Sequence, residues 1–223
     1  MSVTIIRKRV VLLTVVAIGL TSCATHQGTG AIVGGAGGAV VGGIIGHAAG
    51  STAAGVIIGA AVGGAGGAII GHEMDKQAKE LKQNIPGATV ERVGEGITVT
   101  FASGLLYDFD SDVIRSDAGA NLRALANSLD KYPGTDLLIV GHTDQVGAAS
   151  YNQALSQRRA IAAANYLAAQ GVTRSRIDTR GMGENEPVQT NDTEAGRAAN
   201  RRVAVAIYAN EATRAAAAKS GTN

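Results

Sequence analysis

Three polar side chains that could hold a charged ligand lie on one predicted helix, directly after an apolar strand. The strand is predicted over residues 137–140, and Asp144 follows it closely. On the helix, Asn152, Ser156 and Arg159 are spaced i, i+4 and i+7, so they form one polar stripe. Asp144 leaves the strand just before the helix begins, so a carboxylate and a guanidinium can face each other across a small gap. A zwitterionic ligand would fit between them.

The elements that must position this site alternate between strands and helices. Strands are predicted at residues 89–93, 97–101, 137–140, 177–180 and 203–208, the first two forming a hairpin. A helix with Ser116 as its N-cap and the helix of the polar stripe lie between the later strands. This order predicts an α+β fold, a mixed sheet of the βαβαβ type covered by two main helices.

The beginning of the chain has the features of an export signal. Basic residues at 7–9 precede an uncharged apolar run at 10–20 that is too short to span a bilayer as a helix. The next residues, Leu20-Thr21-Ser22-Cys23, resemble the lipobox of bacterial lipoproteins. That resemblance implies lipid modification of Cys23 and, because Ala24 rather than Asp follows, an outer-membrane anchor with the rest of the chain in the periplasm. A coincidental cysteine in an ordinary secretory signal is the alternative.

Composition and motifs argue against several other classes of protein. The formal net charge of +2 includes the three basic residues of the signal, so the remainder shows no basic excess of the kind a nucleic-acid-binding protein carries. A dinucleotide-binding glycine motif and a Gly-x-Ser-x-Gly motif are both missing, and His47 and His72 alone are weak evidence for a metal. His142 and Asp144 flank Thr143, but no acid and base pair of a hydrolase accompanies them. We therefore expect no enzyme activity, cofactor or metal.

Glycine recurs every fourth residue from Gly30 to Gly50 and again from Gly55 to Gly71, and no charged residue interrupts this segment. The sequence also repeats itself, because Gly-Gly-Ile-Ile-Gly-His at 42–47 recurs as Gly-Ala-Ile-Ile-Gly-His at 67–72. On a helix this period places the glycines on one strip, where two backbones can approach closely. The pattern predicts a glycine-zipper helical hairpin that turns at Ser51-Thr52 and pairs within the chain, in lipid or with another copy. A flexible linker is the alternative.

These features divide the chain into five parts. They are a signal peptide at 1–22, a lipidated N-terminus with the glycine zipper at 23–72, a helical connector and the start of the hairpin at 73–95, a globular domain at 96–209, and a flexible tail at 210–223.

Residues 96–209 resemble the OmpA-like C-terminal domain, a family of peptidoglycan-binding modules. The matching pieces follow one another in order along the chain. They are Tyr107-Asp108-Phe109-Asp110, Gly141-His142-Thr143-Asp144, Gly147, Asn152, Leu155-Ser156, Arg159-Ala160, Gly171-Val172, Gly181-Met182-Gly183-Glu184, Pro187, Asn191, Gly196-Arg197 and Asn200-Arg201-Arg202-Val203. The resemblance implies non-covalent binding to the diaminopimelate of the peptidoglycan stem peptide, which would tether the outer membrane to the cell wall.

The resemblance also implies a role for individual residues. Asp144 matches the carboxylate that receives the ammonium of the ligand's distal centre, and Arg159 matches the arginine that holds its carboxylate. Asn152 and Arg201 match supporting contacts, and Asp110 matches a loop residue that touches the ligand. A structural Asp144–Arg159 salt bridge is one alternative. A second alternative is a membrane-associated assembly or envelope-biogenesis factor. In that case the glycine zipper carries the function, and wall binding only localises the protein.

Overall fold

The computed structural model describes residues 51–221, in which a five-stranded mixed sheet has helices packed on both faces. The strands are β1 Ala88–Val93, β2 Gly96–Ala102, β3 Thr135–Gly141, β4 Ile177–Gly181 and β5 Arg202–Ala209. The helices are α1 Thr52–Gly59, α2 Gly64–Asn84, α3 Ser103–Leu106, α4 Gly119–Lys131, α5 Ala149–Ala169, α6 Glu194–Asn200 and α7 Glu211–Ser220. The α+β prediction is confirmed.

The strands lie in the order β1-β2-β5-β3-β4. Only β3 and β4 run parallel, and the other neighbouring strands of this sheet are antiparallel. Side chains alternate between the two faces, so Leu137 and Ile139 enter the main core under α2, α4 and α5, whereas Leu138 and Val140 face the opposite side. We call that opposite side, where α1 packs, the outer face. A sheet buried on both sides explains why the strand residues 137–140 are all apolar.

The predicted hairpin is confirmed, since β1 and β2 pair around the turn at Gly94 and Glu95. The predicted N-cap at Ser116 is wrong, because α4 begins at Gly119 with Ala118 in the N-cap position. The chain first makes a turn, in which the Ala118 amide donates to the Arg115 carbonyl 3.2 Å away. Ser116 lies inside that turn.

The second glycine repeat does not form the single straight helix that its period predicts. It divides into α1 and the first part of α2, with Gly63 and Gly64 at φ 73° and 59° in the break between them. The Glu95 carboxylate accepts hydrogen bonds from the amides of Val62 and Gly63, both 2.7 Å away, and so satisfies donors at the start of α2. Ser51 caps α1, and the first repeat, the predicted hairpin that includes it and Cys23 lie outside the described residues. None of the helices between residues 51 and 221 is long and apolar enough to cross a membrane.

The predicted connector belongs to the folded unit. Helix α2 continues from the glycine repeat through the charged stretch, and Met74, Ala78 and Leu81 lie on its buried face. Arg92 of β1 further fixes this helix by donating to Asp75 at 2.7 Å. The core therefore begins well before residue 96.

The prediction of a flexible tail after Asn210 is wrong. Residues Glu211–Ser220 form α7, and the Asn210 side chain caps this helix by accepting from the Thr213 amide at 2.9 Å. Helix α7 packs closely on α2. A Cβ added to Gly66 of α2 would lie only 2.6 Å from the Ala217 carbonyl oxygen of α7. Within the described residues, the close approach permitted by the glycine repeat is therefore made to the chain's own C-terminal helix.

Candidate ligand-binding site

The five residues predicted to bind the ligand all line one cavity of about 710 Å³. It opens between the loop before α4, the loop after β3, the first turns of α5, and α6 with the residue that follows it. The five are Asp110, Asp144, Asn152, Arg159 and Arg201. Segments more than 90 residues apart in sequence thus contribute to a single site.

A glycine at the end of β3 brings two of these segments together. A side chain on Gly141 would overlap the backbone carbonyl of Ser156, so only glycine allows β3 to lie this close to α5. This contact places Asp144, three residues beyond Gly141, beside the helix that carries Asn152 and Arg159.

Asp144 forms an ion pair with Arg201, and no ion pair joins it to Arg159 within residues 51–221. Its Oδ2 accepts from Arg201 Nη1 at 2.6 Å, and its Oδ1 accepts from the Val146 amide at 2.9 Å. Arg201 also donates through Nη2 to Glu194 Oε1 at 2.7 Å. Burial lowers the pKa of Arg201, but the bonds to Asp144 and Glu194 outweigh it, so this pKa lies above its ordinary value. Arg201 reaches Asp144 because β5, which follows it, is the neighbour of β3 in the sheet.

Arg159 is a buried cation that has no anionic partner among residues 51–221. It is 4% exposed, its Nε donates to the Ser111 carbonyl at 2.8 Å, and its guanidinium lies 5.3 Å from the centre of the Tyr107 ring. Among the residues that the structure describes, none places a carboxylate oxygen within 4.0 Å of its guanidinium. Burial lowers its pKa, an effect that Tyr107 and the more distant carboxylates of Asp110 and Asp112 only partly offset. A buried charge of this kind is costly unless it is paired, so the cavity beside Arg159 favours an anion.

Asn152 fixes the loop that carries Asp144. Its amide nitrogen donates to the carbonyls of Asp144 and Val146, both 3.2 Å away, and to Glu184 Oε2 at 2.7 Å. These bonds hold the residues after β3 against the start of α5. The direct ligand contact that the resemblance implies for Asn152 stays a prediction.

Asp110 lies at the exposed rim of the cavity. It has φ 55°, an uncommon conformation for a residue other than glycine, and its carboxylate accepts a hydrogen bond from the Tyr151 hydroxyl. This bond joins the loop before α4 to the first turn of α5 across the mouth of the cavity. The ligand contact implied for Asp110 also stays a prediction.

Tyr107, Tyr151 and Glu194 support the site in ways that the sequence did not predict. The Tyr107 hydroxyl donates to the Arg159 carbonyl at 2.6 Å, so this tyrosine fixes the helix as well as the guanidinium. Glu194 follows Thr193, whose side chain caps α6, and this cap was the one local signal available. Arg158, next to Arg159, is exposed and pairs with Asp112 at 3.2 Å.

The fold and the cavity define a ligand-binding domain of the OmpA-like type, preceded by a glycine-rich segment. The chain matches the OmpA family over residues 106–201 and the YMGG-like Gly-zipper over residues 5–75. It is 36% identical to the probable lipoprotein YiaD of Escherichia coli over 216 residues, which cover 90% of this chain and 98% of that protein. The chain therefore belongs to the OmpA family, in the group of YiaD-like proteins with an N-terminal glycine zipper.

Other relatives match about half of this chain. The outer membrane porin F of Pseudomonas fluorescens is 45% identical over 46% of this chain, which corresponds to 32% of the porin's length. The peptidoglycan-associated lipoprotein of Brucella melitensis is 36% identical over 54% of this chain and 72% of its own. Among solved structures, the cell wall anchor of the T6SS from Pseudomonas aeruginosa superposes with a TM-score of 0.54 at 30% identity, covering 61% of this chain and 97% of that one.

Proposed function

We propose that this protein binds peptidoglycan non-covalently, through the diaminopimelate of the stem peptide, and tethers the outer membrane to the cell wall. The observation that carries the proposal is the buried Arg159, which lines the cavity without an anionic partner among the described residues. A relative bears the name peptidoglycan-associated lipoprotein, and a structural neighbour is titled a cell wall anchor, which supports the same proposal.

The chemistry of the ligand fits the two ends of the site. The distal centre of diaminopimelate carries one carboxylate and one ammonium group. Arg159 offers a planar guanidinium that can hold the carboxylate by two parallel hydrogen bonds. Asp144 keeps its bond to Arg201 and still has acceptor capacity for the ammonium, because an ionised carboxylate accepts about four hydrogen bonds.

Sedimentation with purified cell-wall sacculi tests this function. We expect the full-length chain, held in mild detergent, to sediment with sacculi and to be released by free meso-diaminopimelate. The ligand recurs along the wall polymer, so a modest affinity at one site is sufficient once the domain is confined beside it. A chain that stays in the supernatant, or sedimentation that excess diaminopimelate does not reduce, would argue against the proposal.

The proposed anchor is a lipid on Cys23, with the OmpA domain in the periplasm. We expect Cys23→Ala to lose acyl labelling and to leave the outer-membrane fraction, since several acyl chains on one residue give durable attachment. Serine at position 22 offers a matched control, and Ser22→Ala should fractionate like the parent. Unchanged acylation of Cys23→Ala would exclude this cysteine as the anchor.

The alternative role, in which the glycine segment assembles chains or acts in the membrane, needs a narrower test than removal of residues 30–71. That deletion would also remove α1 and the start of α2, which pack on the sheet and on α7. Deletion of residues 30–50 removes the first repeat and keeps all the described residues, from Ser51 onwards. Loss of chain-to-chain crosslinks in this variant, with wall binding unchanged, would favour self-association through the first repeat.

A further inference from the structure

Three neighbouring segments of the chain connect the ligand cavity to a second polar cluster on the outer face. They are joined by backbone hydrogen bonds, from the Thr143 amide to the Gly183 carbonyl at 2.8 Å and from the His142 amide to the Arg202 carbonyl at 2.9 Å. In each segment, one residue takes part in the hydrogen bonds around the cavity, and a residue one or two positions away in sequence belongs to the second cluster. The pairs are Asp144 and His142, Glu184 and Glu186, and Arg201 and Arg202.

The second cluster receives the N-terminus of α1. The buried Glu186 carboxylate accepts from the backbone amide of Thr52 at 3.0 Å and from its hydroxyl at 2.6 Å. A carboxylate at the first turn of a helix satisfies free amide donors and complements the helix dipole. Arg202 Nη2 donates to the Glu186 carbonyl at 3.0 Å, and His142 Nδ1 lies 3.8 Å from the Glu186 carboxylate. Glu186 is thus bonded both to the docked helix and to the residue that follows Arg201.

Apolar packing completes the attachment of α1. Val56 and Ile57 pack in one cluster with Leu138, Val140 and Met182 on the outer face of the sheet. Ile57 is 1% exposed, whereas the next residue, Ile58, is 57% exposed. The helix therefore has one face that packs on the sheet and another that faces solvent.

We propose that docking of α1 positions the ligand cavity, with Glu186 as a positioning residue, so that α1 docking and ligand binding strengthen each other. If α1 leaves the outer face, Glu186 loses both bonds from Thr52 in a buried environment, and its turn must rearrange. Glu184 lies two residues away on that turn and holds Asn152, while Arg202 adjoins Arg201, the partner of Asp144. A change at Glu186 therefore reaches both supports of Asp144.

This inference rests on the proposed function, and it makes wall binding depend on residues remote from the cavity. We expect Ile57→Asp in the full-length chain to weaken binding to sacculi by about fivefold or more, the lower end of typical coupling between two sites. Ile58→Asp places the same charge on the solvent side and should bind like the parent. Glu186→Ala should also weaken binding, and Glu186→Gln should restore part of it because an amide oxygen can still accept from Thr52. If Ile57→Asp does not fold, Thr52→Val, which removes one hydroxyl, replaces it.

Hydrogen exchange separates this coupling from a merely structural role. Coupling between sites is reciprocal, so free meso-diaminopimelate should slow exchange of the α1 amides in the parent and have no such effect in Arg159→Ala. The coupling is overturned if the parent and Ile57→Asp bind sacculi equally well and the ligand leaves α1 exchange unchanged. The proposed function then stands. If the parent does not bind sacculi, the proposed function fails. Hydrogen exchange of Arg201→Ala then tests the coupling without ligand. Faster exchange of the α1 amides than in the parent supports the coupling, and unchanged exchange overturns it.

Discussion

Replacing Arg159 by alanine should lower the affinity for peptidoglycan at least about tenfold, which corresponds to roughly 1.4 kcal/mol. Each hydrogen bond to a charged group contributes about 1.5–3 kcal/mol, and the variant would lose the contacts to the ligand carboxylate. The free energy of unfolding should change little by comparison. The variant loses the bond to Ser111 and the contact with Tyr107, but it also removes a buried charge that has no anionic partner among the described residues.

Arg158 provides a matched control for this experiment. It is the same residue type on the same helix, its side chain is 45% exposed, and its partner Asp112 lies outside the five predicted binding residues. Arg158→Ala should sediment with sacculi like the parent, because an exposed ion pair contributes only about 0–1 kcal/mol. A folded Arg159→Ala that also sediments like the parent would refute the assignment of Arg159.

A fragment that begins at residue 86 should fail to fold stably, although it contains the whole region of resemblance to the OmpA-like domain. Helix α2 buries Ile70, Met74 and Leu81 in the main core. Burial of each such side chain contributes about 1.5–3 kcal/mol, and the total stability of a domain is only about 5–15 kcal/mol. Circular dichroism and thermal unfolding of fragment 86–223, compared with fragment 51–223, would measure the difference. A cooperative transition of the shorter fragment at the same temperature would show that α2 is dispensable.

A single substitution tests the same point without truncation. Leu81 is 1% exposed, so Leu81→Ala should cost about 2–5 kcal/mol of the free energy of unfolding. Lys82 is exposed on the same helix, and Lys82→Ala should stay within about 0.5 kcal/mol of the parent. Equal stability of the two variants would mean that α2 does not belong to the core.

Local patterns were sufficient to predict most of the sheet. The hairpin at Gly94 and Glu95 and the apolar strand at 137–140 depend on alternation and turn residues that are close in sequence. The break in the glycine repeat was not accessible in this way, because it depends on Glu95, which accepts from Val62 and Gly63 more than 30 residues earlier. Helix α7 was missed for a related reason. A short Ala-rich helix is only marginally stable by itself, and α7 is stabilised by packing against Gly66, which lies far away in sequence.

The candidate site shows the same division between local and long-range information. The residues carried over from the family do gather around one cavity, because the helix period and the close approach at Gly141 place them there. The partner of Asp144 could not be read from spacing, however. Arg159 is nearer in sequence, but the order of strands in the sheet brings Arg201 to the carboxylate. Sequence alone therefore predicted which residues line the cavity better than the bonds between them.

Titration calorimetry with two purified stem peptides tests the central claim most directly. One peptide contains meso-diaminopimelate, and the other contains lysine, which keeps the amine but lacks the distal carboxylate that Arg159 is proposed to hold. The full-length chain in detergent should bind the diaminopimelate peptide at least about tenfold more tightly, because the lysine peptide leaves the buried guanidinium unpaired. Equal affinity for the two peptides would contradict the assignment of this cavity as a diaminopimelate site.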